Sequence, residues 1–192
     1  MDTALSICVG IGLSAACGFR VFVPLLIMSI ASLSGHLTLA SSFQWIGTYP
    51  ALTAFSVATA LEVGGYYIPW LDHLLDTMAT PAAIVAGTIV TTSMLTNMDP
   101  FLKWTLGVMA GGGVAGMVQT GTILTRAAST TTTGGLGNPL VATAELGLAI
   151  FTSILALVVP VLAALLVVVL AVVIARKAWR WFRPAAPAVA AS

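Results

Sequence analysis

Between Pro160 and Ile174 the chain carries no polar side chain at all, and apolar runs bounded by proline or glycine recur along its whole length. A bilayer core of ~30 Å is crossed by about 20 mostly apolar residues in a helix. Soluble domains carry roughly 25% charged residues, whereas this chain has 7%, with a mean hydropathy of +1.07. A water-exposed surface cannot be built from that inventory; a lipid-exposed one can. The expected fold class is therefore all-α, a polytopic transmembrane helix bundle of about six helices in a single domain, residues 1–183. The Ala/Pro-rich residues 184–192 read as a disordered cytoplasmic tail.

The six expected spans follow the punctuation. The first covers Thr3 to Leu33, long enough to tilt or break, with Gly10, Gly12, Gly18 and Pro24 as places to do so. Ser34 to Tyr49 reads as a loop with a short interfacial piece, Trp45 and Tyr49 suiting the headgroup level. Pro50 opens a second span to Ile68, and Pro69 to Thr80 reads as an amphipathic connection. Pro81 opens a third span ending near Met98, and Asp99-Pro100 makes a turn into a fourth from Phe101 to Ala128. Ser129 to Gly137 is too polar to span. Asn138-Pro139 starts the fifth helix, to Val159, and Pro160 the sixth, to Ile174.

Orientation follows from the cations. Arg176, Lys177, Arg180 and Arg183 cluster after the last span, so that end belongs in the cytoplasm by the positive-inside rule, and six spans return the N-terminus to the same side. The expected location is a bacterial inner (plasma) membrane. The two halves, 1–98 and 100–183, each open with a Gly-rich helix and continue through a Gly- and Pro-containing connection. Three spans per half would insert with opposite orientations, an inverted repeat of the kind transporters use.

Ionisable residues inside a span cost several kcal/mol and ask for a partner or a job. Arg20, Glu62 and Glu145 qualify, either as a buried ion pair fixing helix register or as part of a substrate or ion pathway. A direct contact between Arg20 and a glutamate requires the first helix to break, or to start deeper in the bilayer. Gln119, on the glycine-rich fourth helix, is a further pathway candidate, and Gly112 to Gly116 has the spacing of close helix approach. Asp72 and Asp76 share a face of the interfacial segment and, with Arg126 and Asn138, form an expected cytoplasmic polar cluster. Gly134 to Pro139 reads as a flexible turn instead of a phosphate loop, lacking the lysine and spacing of one. Cys8 and Cys17 face opposite sides of one helix and read as small apolar residues.

Three stretches carry a resemblance. They are Gly18-Phe-Arg-Val-Phe-Val-Pro24-Leu-Leu, the block from Glu62 through Tyr66, Asp72 and Asp76 to Pro81, and Gly137-Asn-Pro139 with Glu145 downstream. Together they resemble a bacterial membrane family catalogued as domain-of-unknown-function family 4126. The resemblance covers nearly the whole chain and implies that Arg20, Glu62, Asp72, Asp76, Asn138 and Glu145 form one recurring constellation. It implies no activity.

The expected function is transport of an ion or small solute, or a channel-like variant of it. The rival expectation is a non-catalytic accessory or scaffold subunit of a larger membrane complex. No Ser/His/Asp set, Cys/His pair or metal motif is visible, so an enzyme is not expected; the remaining enzymatic alternative acts on lipid. No cofactor and no metal are expected. The expected partners are the lipid bilayer and either further copies of the chain or a complex; the net charge of +1 leaves no basic surface for nucleic acid.

Overall fold

The computed structural model describes residues 2–182, without the side chains of 69, 70, 72, 73, 174, 175 and 177–182. The side chains of Asp72, His73, Lys177 and Arg180, together with Arg183 and the tail 184–192, therefore lie outside the described residues. Among those described, every regular element is helical: α1 Thr3–Phe19, α2 Phe22–Leu33, a 3₁₀ segment Ser41–Gly47, α3 Tyr49–Gly65, α4 Pro69–Met94, α5 Pro100–Leu106, a π stretch Gly107–Gly112, α6 Gly113–Thr133, α7 Asn138–Val158 and α8 Pro160–Phe182. Three stretches are long and apolar enough to cross a membrane: Leu74–Met94, the continuous Pro100–Thr133 rod, and Asn138–Val158. Local chemistry sets the starts. A proline occupies the first turn of α3, α4, α5 and α7, where no amide donor is needed. The Asp99 carboxylate accepts from the Phe101 amide at 2.9 Å, capping α5.

The first expected span is two helices. Arg20 takes an extended conformation, φ −147° and ψ 127°, between α1 and α2. Pro24 explains the break: in a continuous helix its ring would strike the carbonyl four residues back, that of Arg20, and its missing N–H would leave that carbonyl unpaired. As the third residue of α2 it is instead in the first turn, where amides have no intrahelical partner. The chain then folds back. Gly10 in α1 lies against Thr91 in α4, and the Ala40 amide donates to the Ser93 carbonyl at 2.8 Å. Residue 40 has thus returned to the end of the bundle where α1 begins.

The other helices alternate in direction around α1. Ser14 Oγ donates to the Gly87 carbonyl and meets Thr91 Oγ1, both at 2.8 Å, so α1 and α4 run antiparallel. Gly12 lies against Ala156 of α7 and Ala163 of α8, while the Arg20 guanidinium reaches Ala142 of α7. Helix α7 is therefore antiparallel to α1. The same alternation sets α6 and α8 parallel to α1, and the start of α1 and the end of α8 fall at opposite ends of the bundle. The expectation of both chain ends on one side fails for this reason: the hairpin at Arg20 adds a passage. It also unbalances the three-plus-three division, since four helices precede Asp99.

Two further boundaries differ from expectation. Helix α4 starts at Pro69 and passes through Pro81, so 69–80 is its first half and not a connection. Helix α6 runs on to Thr133 because its hydroxyls turn back on the backbone: Thr132 bonds the Ala128 carbonyl and Thr133 that of Ser129. Only the glycine turn remains, with Gly134 and Gly135 at positive φ. Gly112 and Gly116, spaced for close approach, do pack within the chain, against Ile84 and Thr88 of α4.

Helix α4 and the π stretch touch through backbone. A Cβ on Gly87 would stand 2.6 Å from Ala115 Cβ and 2.7 Å from the Gly111 carbonyl oxygen, whereas one on Gly64 would meet nothing within 4 Å. Gly87→Ala is expected to cost about 1–3 kcal/mol by overpacking and Gly64→Ala none, read by unfolding in mild detergent. Equal stability of the two variants would show that α4 and the π stretch are not held at this spacing.

Candidate functional site

Six side chains from five segments converge near the end of the bundle where α1 stops. Arg20 follows the last residue of α1, Glu62 is in the last turn of α3, Tyr66 ends that helix, Asp76 is on α4, Arg126 on α6 and Glu145 on α7. Arg126 lies seven residues before the end of α6 at Thr133, and Glu145 seven after the start of α7 at Asn138. Two antiparallel helices joined by a short turn thus bring them to one depth, about 10 Å inside by helical rise.

The Arg126–Glu145 pair is the centre. Arg126 Nε donates to Glu145 Oε1 at 3.1 Å, and the second nitrogen NH2 donates to Oε2, a bidentate fork. Arg20 NH2 stands 3.4 Å from the same Oε2 and donates to the Ala142 carbonyl at 2.9 Å. Arg126 Nε is also 3.8 Å from Asp76 Oδ1. Both guanidinium carbons lie over the Tyr66 ring, Arg20 at 3.8 Å and Arg126 at 4.1 Å from its centroid, a contact that gains strength when desolvated. Arg20 is 2% exposed and Arg126 3%.

Glu62 does something different. Its two oxygens accept the backbone amides of Val21 and Phe22, at 2.8 and 3.1 Å. Those amides open α2, so the carboxylate caps a helix N-terminus from another helix. Arg20, at the C-terminal end of α1, supplies the complementary cation. The broken helix ends are therefore matched in sign.

Toward the end of the bundle the cluster opens into a cavity of about 330 Å³ lined by Asp76, Ile123, Arg126, Ala127, Thr130, Thr131 and Asn138. Asn138 Nδ2 donates to Thr130 Oγ1 at 3.2 Å across the turn. The wall so formed is mixed, with a buried cation, a carboxylate, an amide and hydroxyls.

The structure brings Arg20, Glu62, Glu145, Arg126 and Asp76 together and puts Asn138 on the rim of the adjoining cavity. Gln119 is buried on α6 two turns from Arg126, about 10 Å along the axis, so it faces the same way without joining the cluster. Arg126, expected near the cytoplasmic surface, is instead the central cation. Sequence reasoning missed Tyr66 and the Val21 and Phe22 amides. The equal seven-residue offsets around the glycine turn were the signal for Arg126–Glu145; no signal of comparable strength marks Tyr66.

The architecture defines the class: an all-helical chain with helices long and apolar enough for a membrane and a buried ionic cluster near one end. The chain matches the family described as Domain of unknown function (DUF4126) over residues 7–180 and belongs to it. No curated protein and no solved structure matches it.

Removing one partner of a buried pair strands the other. Arg126→Gln is expected to destabilise the fold by about 3–5 kcal/mol, and Arg126→Gln with Glu145→Gln to recover much of that loss, in denaturant titrations in detergent. A single-variant loss below ~1 kcal/mol would place the pair among solvent-exposed bridges instead.

Proposed function

We propose that this chain is an integral membrane protein that moves an ion or small solute, which it engages at the cavity beside Arg126, Glu145 and Asp76. The observation that carries the reading is the convergence of charges from five segments against an open cavity of mixed lining, in a chain with only 7% charged residues. Stability alone gives little reason to keep such groups in an apolar interior, since well-packed hydrophobic residues often do as well. Intramembrane charge is characteristic of ion and substrate pathways. The reading is non-enzymatic, because Glu145 and Glu62 are committed to guanidinium and amide partners and not to an acid–base pair.

The exposed Arg176 near the end of α8 suits a cytoplasmic position for the cluster end by the positive-inside rule, in the inner (plasma) membrane of a bacterium. The start of α1 would then face the opposite side. A second reading, an accessory subunit of a membrane complex, draws on the apolar outward faces of α7 and α8, where Phe151, Val161 and Leu165 are exposed. Such faces suit a neighbouring helix as well as lipid.

The test is reconstitution of the purified chain into liposomes, with permeability to protons, potassium, chloride and glycerol measured against protein-free vesicles. At least one flux is expected to rise. It should fall at least ~10-fold, a ΔΔG‡ of about 1.4 kcal/mol, in the charge-balanced variant Arg126→Gln/Glu145→Gln. Unchanged flux in that variant overturns the cluster's role. No flux for any probe, with a partner co-purifying at fixed stoichiometry from native membranes, favours the accessory reading.

A further inference from the structure

The carboxylate of Glu62 sits where a free anion would sit. It is held by two convergent backbone amides, Val21 at 2.8 Å and Phe22 at 3.1 Å. These open α2, a helix of 12 residues whose N-terminal end carries the partial positive charge of its aligned peptides. Short anions bind helix N-termini through the same groups.

A second observation points the same way. Arg20, the residue before these amides, is 2% exposed. Its NH2 is used by Ala142 and Glu145, but its buried Nε and NH1 have no acceptor among the described residues. A guanidinium carries five N–H donors and no acceptor, and leaving buried donors unanswered is costly. Two buried guanidinium donors, on the residue next to these amides, thus lack an acceptor of their own.

We propose that the α2 N-terminus together with Arg20 is a binding site for a small monovalent anion, of chloride or formate size, and that Glu62 is its built-in occupant, displaced when it takes up a proton. The proposal deepens the transport reading and rests on it for the route in from the cavity; the binding step stands separately. Protonation turns the Glu62 carboxylate into a neutral acid and weakens its hold on the amides. The proton stays on Glu62, and the anion takes the Val21 and Phe22 amides and the free Arg20 donors. One positive and one negative charge enter together, so the net charge of the cluster is unchanged.

The charges around Glu62 agree with this balance. Arg20 from the end of α1 and Glu145 from α7 act on it, with the Cys17 thiol of α1 also in its field; Arg126 from α6, Asp76 from α4 and Tyr66 from the end of α3 are linked to it through those two. With Glu62 neutral, two guanidiniums and two carboxylates remain among the described residues of the cluster, and the α2 N-terminus adds positive potential.

The test uses thermal unfolding of the purified full chain in detergent, with sodium chloride or sodium formate against sodium gluconate at equal ionic strength. Wild type is expected to show a saturable upward shift in Tm with chloride or formate at about pH 4 and none at about pH 7, either side of the range in which a glutamate ordinarily loses its proton. Glu62→Gln should show the shift at both pH values, and Arg20→Gln added to it should abolish the shift. Equal Tm in all three salts, in wild type at both pH values and in Glu62→Gln, overturns the proposal and leaves Glu62 a helix cap. Should Glu62→Gln fail to fold, wild type at the two pH values decides alone. An anion-dependent shift without flux in liposomes keeps the site and removes the transport reading; flux without an anion-dependent shift does the reverse.

Discussion

The break between α1 and α2 imposes the demand that the rest of the bundle answers. Ending one helix and starting another inside an apolar interior leaves carbonyls at the first end and amides at the second without water to satisfy them. Pro24 favours the break, and the residues around it make it tolerable. Glu62, from a helix that the hairpin itself places alongside, accepts the first two amides of α2. Arg20 sits at the carbonyl end of α1 and reaches across to α7. Each charge compensates a dipole first and a side chain second. Arg20 brings in Glu145, Glu145 brings in Arg126, and Arg126 approaches Asp76. One backbone discontinuity therefore organises five segments.

The remainder of the interior works by contact. From Gly10 to Thr91, and from Gly87 to Gly111, small side chains let backbones meet, and the hydroxyls among them close onto carbonyls or one another. Lipid supplies no hydrophobic drive between apolar helices, so close packing and such hydrogen bonds have to hold them. The consequence is polarity along the bundle axis. One end holds charges beside an open cavity, while the length of α1 beyond it is sealed by glycine, alanine, serine and threonine. From the cavity beside Asn138 the ionic cluster is reached before this packed zone.

Much of this was legible in the residues and some was not. Helical class, the Asp99 cap, the glycine turn after Thr133 and the need for Arg20 to find a carboxylate all follow from local chemistry. The hairpin was legible in part: Pro24 gave a place to break, but direction after a break is set by tertiary contacts such as Ala40 on Ser93, which no local pattern encodes. Helix α4 ran through Pro81 because packing outweighed a local breaker. The threonines at 130–133 read as a polar loop by composition, yet a hydroxyl that bonds the carbonyl four residues back hides its polarity in the helix. Tyr66 had no role of its own in the sequence, and its use as a platform for two guanidiniums depends on the approach of α1 and α6, elements distant from it along the chain.

A structural account of the charges and a functional one are not in competition here, because of how the carboxylates are divided. Glu145 is locked into a bidentate fork with a buried cation, an arrangement suited to fixing geometry. Glu62 is held by neutral amides through a single carboxylate, and its nearest cation is only half-answered. Both sets of hydrogen bonds are charge-assisted, but those to Glu62 come from groups that carry no charge of their own, so neutralising Glu62 breaks no hydrogen-bonded ion pair. The rigid pair and the exchangeable acid share Arg20 as neighbour, which couples any change at Glu62 to the rest of the cluster. A frame that stays fixed while one acid changes partners is what a site needs in order to respond to a ligand without unfolding.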